Sequence, residues 1–364
     1  MKKLLFISLL IIISFLNSCK TDFEINAEWE DISVIYCFLN PNDSVHYVKL
    51  NKCFLGNESA YVMAQISDSS NYANANVMLI PGTIKKTGEF EEEGQEITLD
   101  KTTEIIKEPG AFASDVNILY KTANNTFLDI DKDYKLKIEI PGKENIEAYT
   151  SLISIDELKI IEPYYNFNLA EGSTVQVKWS SIEYAKLYEL SIFFTYVEIA
   201  NNETTEKTLE WVQKSKISQH TDGGETITIS VSGDAFLQFV ASKIKSASDY
   251  NPNAIRIAKR YIPNASEPNN PLNKYPLELY FYTGTEDLHI YIQVSQPSNT
   301  IIQEKPSFSN ITNGIGIFSC RANKTISKKT ITDNVVDDLS ESEITNGLNF
   351  YDSNETIAYW QIIN

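Results

Sequence analysis

Apolar and polar residues alternate along most of this chain, which is the pattern of strands that bury one face of a sheet. In 134–140, for example, Tyr, Leu and Ile alternate with Lys and Glu, and a Pro-Gly pair then ends the run. Such short runs, separated by Asn, Gly and Pro, predict antiparallel β-sandwiches. The same alternation predicts strands at 31–39, 45–54, 175–179, 188–196, 226–231, 277–282 and 288–294.

One stretch has helical spacing instead. Phe236, Val240 and Ile244 recur four residues apart, and Ser232 offers N-cap chemistry just before them. This predicts an amphipathic helix over 234–246 that covers a sheet. The remaining segments are interpreted as a second short helix at 59–66 and as solvated loops at 89–96 and 333–343.

A domain boundary is predicted near 151–163, where one strand pattern ends and a new set begins. It divides the body of the chain into an N-terminal β-sandwich domain, 31–155, and a C-terminal β domain, 156–364. Within the second, 173–196 has a Val-x-Val-x-Trp strand followed by a turn and a Tyr-containing strand, which resembles the start of a fibronectin type III domain. The expected fold class is therefore mainly β, with two antiparallel β-sandwich (Ig/fibronectin III-like) domains and one or two short helices.

The first residues predict export. Two lysines, an apolar run at 4–15 and small residues before Cys19 form a secretory signal peptide, 1–18. The run is about 18 Å long as a helix, too short for ~30 Å of hydrocarbon. Leu16, Ser18 and Cys19 resemble the Leu-x-small-Cys pattern of bacterial lipoproteins. That resemblance implies that Cys19 becomes the first mature residue and carries a diacylglycerol and a further acyl chain such as palmitate.

Lipid at Cys19 would make the membrane a partner, since two or three acyl chains anchor a protein stably. The polar, acidic start of the tether at 19–30 resembles the surface-export signal of Bacteroidota lipoproteins. The expected location is therefore the outer membrane, lipid-anchored and surface-exposed. The alternative is a soluble secreted protein in which Cys19 falls at this position by chance.

The charge of the chain argues against nucleic acid as a partner. There are 31 Lys and Arg against 49 Asp and Glu. Removal of the signal takes two lysines, so the mature chain has 29 basic and 49 acidic residues and a net charge of −20. Such a field repels phosphate backbones and anionic lipid head groups.

Three cysteines remain beside Cys19, an odd number without Cys-x-x-Cys spacing. A hairpin turning at 40–43 would place Cys37 near His46 and away from Cys53. This favours free thiols at Cys37, Cys53 and Cys320, although a bridge between the first two stays open.

A broader resemblance covers most of the mature chain. The stretches 35–56, 134–148 and 306–318 are similar to an uncharacterised Bacteroidota lipoprotein family, domain of unknown function 4249. The last stretch carries an Asn-Ile-x-x-Gly-x-Gly-x-Phe motif. The resemblance implies association with an outer-membrane TonB-dependent uptake system. It supplies no family activity that could be assigned to this chain. The motif residues are Asn310, Ile311, Gly314, Gly316 and Phe318.

Local motifs supply no catalytic, metal or cofactor site. Asp129, Asp131 and Asp133 begin like a calcium loop, but Tyr134 and Ile140 stand where Gly and Glu are required. A solvated turn entering a strand is the better interpretation. Ser-x-x-Lys at 242–245 and Lys-Thr-Gly at 86–88 come in the wrong order for a penicillin-binding enzyme. Each of the three histidines, His46, His220 and His289, is alone in its region of the sequence. His46 and His289 are predicted to lie in strands.

Two kinds of surface feature remain. Asp43-Ser44-Val45 resembles the O-glycosylation site of exported Bacteroidota proteins, which makes Ser44 a candidate modification site. Aromatic clusters at 164–167 and 280–282 are interpreted as core or cross-strand pairs, with stacking on sugars or a protein partner as the alternative. Gly314 and Gly316 are interpreted as serving a bulge or tight packing.

The sequence therefore predicts a lipid-anchored cell-envelope binding or accessory protein that serves an outer-membrane receptor. Two alternatives stay open: a surface hydrolase acting on glycans or peptides, and a purely adhesive or structural surface protein.

Overall fold

The computed structural model describes residues 31–53, 62, 70–107, 116–259, 275–296 and 307–363. The signal peptide, Cys19 and the tether lie outside these residues and stay predictions. The helix at 59–66 also stays a prediction, because position 62 is the one described residue within it. The described residues confirm a mainly β protein. Its strands are β1 (Ser33–Leu39), β2 (Tyr47–Lys52), β3 (Asn76–Ile84), β4 (Phe90–Glu92), β5 (Ile97–Thr102), β6 (Leu119–Lys121), β7 (Asp133–Glu139), β8 (Ile146–Thr150), β9 (Ile160–Glu162), β10 (Asn166–Phe167), β11 (Thr174–Ser180), β12 (Leu187–Ala200), β13 (Glu203–Val212), β14 (Lys216–Ile217), β15 (Thr226–Ser232), β16 (Ile255–Ala258), β17 (Leu277–Gly284) and β18 (Ile315–Ile331).

Four α-helices occur among the described residues, beside a short 3-10 helix at Ile155–Glu157. The first of them confirms the predicted amphipathic helix, and its N-cap Ser232 accepts a hydrogen bond from the N–H of Ala235. The helices are α1 (Gly233–Ser246), α2 (Glu286–Ser295), α3 (Asp333–Glu341) and α4 (Ser353–Ile363). None of these described helices is long and apolar enough to cross a membrane.

Fifteen strands form one large sheet, and β15, β11 and β9 form a second, smaller one. The main path of the large sheet runs β13-β12-β17-β18-β1-β2-β6-β5-β3-β7-β8. Most neighbours are antiparallel, as predicted, but β18 runs parallel to β1 and to β10. Alternation of apolar and polar residues does not specify such parallel contacts, because it sets the buried face of a strand and not its neighbour.

The long strand β18 serves both halves of the molecule. Its first residues pair with β1, and its later residues pair with β17. Strand β8 also contacts the segment just before β18. The N–H of Glu147 donates to Thr312 O at 3.4 Å, and the N–H of Thr312 donates to Glu147 O at 2.8 Å. The large sheet therefore continues across the boundary predicted at 155/156, and the division into two domains stays a prediction.

The core lies between the two sheets. Trp179 of the small sheet is fully buried, with its ring centroid 5.2 Å from Phe281 and 6.0 Å from Tyr188 of the large sheet. This is the packing that the fibronectin III-like segment implied. Helix α1 covers the neighbouring part of the sheet, where Phe236 lies 5.3 Å from Phe194.

Three predicted segments differ from the structure. The strand predicted at 288–294 is helix α2, which begins after Thr285 with two acidic residues in its first turn, where a helix favours negative charge. Its buried residue Leu288 packs on Gly284, where a Cβ would meet the leucine at 2.7 Å. His289 is therefore helical.

The loop predicted at 333–343 contains α3, because Val335, Val336 and Leu339 form a buried helical stripe. The acidic loop predicted at 89–96 includes the exposed strand β4, paired with β3. The charged composition of both segments hid these elements.

The three described cysteines are free, with Cys37 and Cys320 buried and Cys53 partly exposed. Burial raises the thiol pKa of Cys37 above its usual range and that of Cys320 to about 12. Cys37 lies opposite Val48. The predicted neighbour was His46, so the β1–β2 hairpin is wider than the simplest register.

His46 is 2% exposed and lies just before β2. Its N–H donates to Thr122 Oγ1, and its carbonyl accepts from the Thr122 N–H, both at 3.0 Å. Its Nε2 finds no partner among the described residues. Burial lowers the pKa of this imidazole below the ordinary 6.5, partly offset by the charge of Asp43.

We expect His46 to make the protein acid-sensitive. Because its pKa is lowered on folding, its contribution to stability is complete above about pH 6.5 and is lost as the pH falls through the folded-state pKa. The free energy of unfolding should therefore fall more between about pH 7.5 and 5.5 in the wild type than in His46→Gln. Urea denaturation at both pH values measures this, and exposed His220→Gln should behave as wild type. An equal pH dependence of His46→Gln and wild type would contradict the assignment.

Candidate functional site

A cleft opens where the β1-to-β8 end of the large sheet meets the C-terminal half. It consists of two cavities, of about 320 and 220 Å³, that share Ile84 and Tyr184 in their walls. We call it the junction cleft. A larger depression of about 670 Å³ lies elsewhere, beside Asn74, Lys101 and Glu139. The junction cleft is the better candidate, because residues from both halves of the molecule converge on it.

The larger of the two cavities that form the junction cleft, of about 320 Å³, is lined by the turn that enters β7. The side chain of Asp129 accepts a hydrogen bond from the N–H of Asp131 at 3.1 Å. The backbone carbonyl of Asp129 accepts one from the N–H of Lys132 at 3.2 Å. Asp133 accepts the N–H of Ile84 at 2.6 Å and so holds the end of β3. The three aspartates thus form the predicted turn into a strand. Within the described part of the chain, no group of three or more His, Cys, Asp or Glu side chains is placed to hold a metal ion.

Tyr184 is held in the wall by its backbone. Its φ of +62° is rare for a residue with a side chain and costs about 1–3 kcal/mol. Its N–H donates to Thr221 O at 2.8 Å. The loop at 218–225, which contains Thr221, is stabilised by Glu225. The Glu225 carboxylate accepts hydrogen bonds from Ser218 Oγ and from the N–H of Gln219, both at 2.7 Å. Burial and the nearby charges of Glu183 and Asp133 raise the pKa of the Tyr184 phenol, so it stays a hydrogen-bond donor.

The smaller cavity lies at the start of α2. Thr285 is buried, with its hydroxyl 2.6 Å from that of Ser319. Asp287 accepts from Asn310 Nδ2 at 2.7 Å, and burial raises its carboxyl pKa. Tyr149, on β8, donates to Glu147 at 2.8 Å, and burial raises its pKa to about 12.

This arrangement is suited to binding. Its walls present two phenols, several hydroxyls and carboxylates that can hydrogen-bond a polar ligand. A glycosidase needs one carboxyl group with a raised pKa facing a second, ionised one. Among the described acids Asp287 has the raised pKa, but Asn310 already donates to its carboxylate.

The late Asn-Ile-x-x-Gly-x-Gly-x-Phe motif supports this wall. The Asn310 side chain bonds both backbone groups of Phe318, at 2.7 and 3.0 Å, as well as Asp287. Gly316 has φ +122°, and a Cβ there would lie 1.9 Å from Ile35 O. The interpretation of tight packing is thus confirmed for Gly316. The motif fastens β18 to β1 and to the first turn of α2.

Other candidates from the sequence lie away from the cleft. The aromatic residues at 164–167 divide, because Phe167 is buried whereas Tyr164 and Tyr165 are 66% and 56% exposed. The core interpretation is wrong for those two tyrosines, which lie over Lys329. Ser44 is half-buried, its carbonyl accepting the N–H of Thr126 at 2.9 Å, and its glycosylation stays a prediction.

The cleft residues themselves had no sequence signal. Tyr149 and Tyr184 lie in a strand and a turn, and neither belongs to a motif. Thr285 and Asp287 would have stood out only if α2 had been recognised, because they form its N-terminal turn.

Comparison with known proteins gives one family. A family model described as "Domain of unknown function (DUF4249)" matches residues 20–327. No curated protein matches the chain. A solved structure, the C-terminal globular domain of an oligosaccharyltransferase from Pyrococcus abyssi, is 12% identical with a TM-score of 0.22. The alignment covers 62% of this chain and 45% of that chain, so it spans less than half of that chain's length.

Proposed function

This chain belongs to the family described as "Domain of unknown function (DUF4249)", a description that names no activity, and we propose its role from its own residues. We propose a lipid-anchored cell-envelope binding protein, an accessory of an outer-membrane TonB-dependent uptake system. The observation that carries the proposal is the apolar run at 4–15 followed by Leu16, Ser18 and Cys19. The net charge of the mature chain argues against nucleic acid as a partner on electrostatic grounds.

The position of the fold supports this role. Residues 19–30 span at most about 40 Å when fully extended, so β1, which begins at Ser33, stays close to the anchored end. A receptor in the same membrane then meets the protein at high effective concentration. The junction cleft offers such a system a recognition surface.

Anchoring is tested by the intact mass of protein purified from native membranes. We expect a mass that lacks residues 1–18 and includes acyl chains, and we expect Cys19→Ala to be lost from the membrane fraction. Cys53→Ala is the matched control and should stay membrane-bound. An unacylated mature chain, or membrane retention of Cys19→Ala, would overturn the anchoring and the accessory role that depends on it.

The accessory role is separated from an adhesive one by cross-linking in native membranes. Recovery of one defined outer-membrane receptor supports the accessory role. Recovery of several unrelated surface proteins or none contradicts it and favours adhesion or a structural role.

A surface hydrolase is the second candidate, favoured by the carboxylates of Asp133, Glu157 and Glu183 around the larger cavity. Release of reducing ends or free amines from glycans or peptides by the purified chain, abolished in Glu183→Gln, would replace the binding role with catalysis.

A further inference from the structure

The junction cleft combines aromatic rings, hydroxyls and carboxylates, and this combination recognises a particular class of ligand. We propose that it binds a neutral or amino-bearing oligosaccharide. This inference rests on the proposed binding function and names its ligand class.

The two tyrosines supply the apolar part of the site. Tyr149 and Tyr184 are 36% and 42% exposed and line the same cavity. A pyranose ring has faces made of C–H groups, and these pack on an aromatic ring while the hydroxyls point outward. Amphipathic tyrosines suit such a ligand because the ring packs on C–H groups while the phenol oxygen can still accept a hydrogen bond.

The Tyr149 ring and the Tyr184 backbone are held before any ligand arrives. The Tyr149 ring centroid lies 5.3 Å from that of Phe90, and its hydroxyl is bonded to Glu147. The left-handed backbone of Tyr184 is fixed by the hydrogen bond to Thr221. Rigid contacts reduce the entropy lost on binding, which favours affinity for a flexible, well-hydrated ligand.

The polar part of the site matches a polyol. Thr221 and Ser151 line the smaller cavity together with Glu286 and Asp287. Hydroxyl side chains donate and accept, and carboxylates accept, so each sugar hydroxyl can find a complementary group. Hydrogen bonds to charged acceptors are stronger than those between neutral groups.

The charge of the walls decides which saccharides fit. The larger cavity is lined by Asp131, Asp133, Glu157 and Glu183, whereas its lining cation, Lys132, is already paired with Glu93. This negative field repels uronic and sialic acids and tolerates a neutral or protonated amino sugar. A purely cationic ligand would use the carboxylates and the faces of the tyrosine rings but leave the hydroxyl side chains unused.

The size of the cleft indicates a short chain of sugars. The larger cavity alone, about 320 Å³, reaches the lower end of ordinary ligand pockets. Since it shares Ile84 and Tyr184 with the smaller cavity, one oligosaccharide can occupy both.

The test uses the purified full-length chain in detergent and isothermal titration calorimetry. The probes are maltohexaose, xylohexaose and chitohexaose, with oligogalacturonate as the anionic comparison and a lysine-rich peptide as the cationic one. We expect at least one of the first three to bind and the last two to fail. Tyr149→Ala and Tyr184→Gly should each raise its Kd about tenfold. Glycine is chosen at 184 because it adopts φ +62° without strain.

The matched control is Tyr164→Ala, which removes an exposed tyrosine outside the cleft and should leave the Kd unchanged. Thermal unfolding verifies that each variant is folded. Failure of all three saccharides, unchanged binding in both cleft variants, or binding of the peptide or oligogalacturonate alone would overturn the proposal. An acylated, membrane-bound protein that binds no saccharide would overturn this inference and leave the proposed function standing. Saccharide binding by an unacylated chain would do the reverse.

Discussion

Replacing Glu198 with Gln is expected to lower the free energy of unfolding by about 3–5 kcal/mol. The reason is the guanidinium of Arg256, which is fully buried and forms an ion pair with Glu198 at 2.8 Å. Glu198 is itself 6% exposed. The amide of Gln keeps the shape and accepts one hydrogen bond, but it leaves a buried cation without its countercharge.

Glu198→Gln should also destabilise the C-terminal segment at 348–351. Arg256 donates from Nη1 to Leu348 O at 2.6 Å and from Nη2 to Asn251 O at 3.0 Å. Its backbone also bonds Asn349 and Tyr351, each at 2.8 Å. Weakening this cluster should therefore release 348–351 from β16, which amide hydrogen exchange would detect as faster exchange there.

Urea denaturation measures the total loss, and Glu206→Gln is the matched control. Glu206 is 55% exposed and pairs with Lys259 at 2.7 Å, so its loss should cost less than about 1 kcal/mol. If both substitutions cost the same small amount, the buried ion pair is not a stabilising contact.

Gly316→Ala should have the second large effect, about 3 kcal/mol or more. The backbone at φ +122° suits glycine alone, and a Cβ would lie 1.9 Å from Ile35 O. Because Ile35 and Gly316 face each other in the parallel β1–β18 pair, the clash separates the strands that join the two halves.

Gly142→Ala isolates the backbone contribution. Gly142 also has a positive φ, +80°, but nothing lies within 4 Å of its added Cβ. This control should cost only about 1–2 kcal/mol, as expected for a left-handed residue. Equal losses in the two variants, measured by urea denaturation, would show that the close approach at Gly316 is relieved by small shifts.

Local sequence patterns predicted the elements whose form depends on nearby residues. Alternation located β7, β11 and β15 within one or two residues, because one face of each strand packs on the core. Helix α1 followed from its cap and from Phe236, Val240 and Ile244, which are all buried. Helix α2 was missed because Leu288 to Val294 alternates as a strand does, whereas its acidic first turn and the contact of Leu288 with Gly284 fit a helix.

The sequence by itself determined the mainly β class and the positions of helix α1 and of seven of the eighteen described strands, and it predicts the export signal. These features depend on residues close together in the chain. Only the tertiary structure decided that β1 pairs with β18, because alternation specifies which face of a strand is buried and not which strand lies beside it. The junction cleft likewise depends on the tertiary structure, since Tyr149, Tyr184 and Asp287 come from separate elements and meet only in the folded chain.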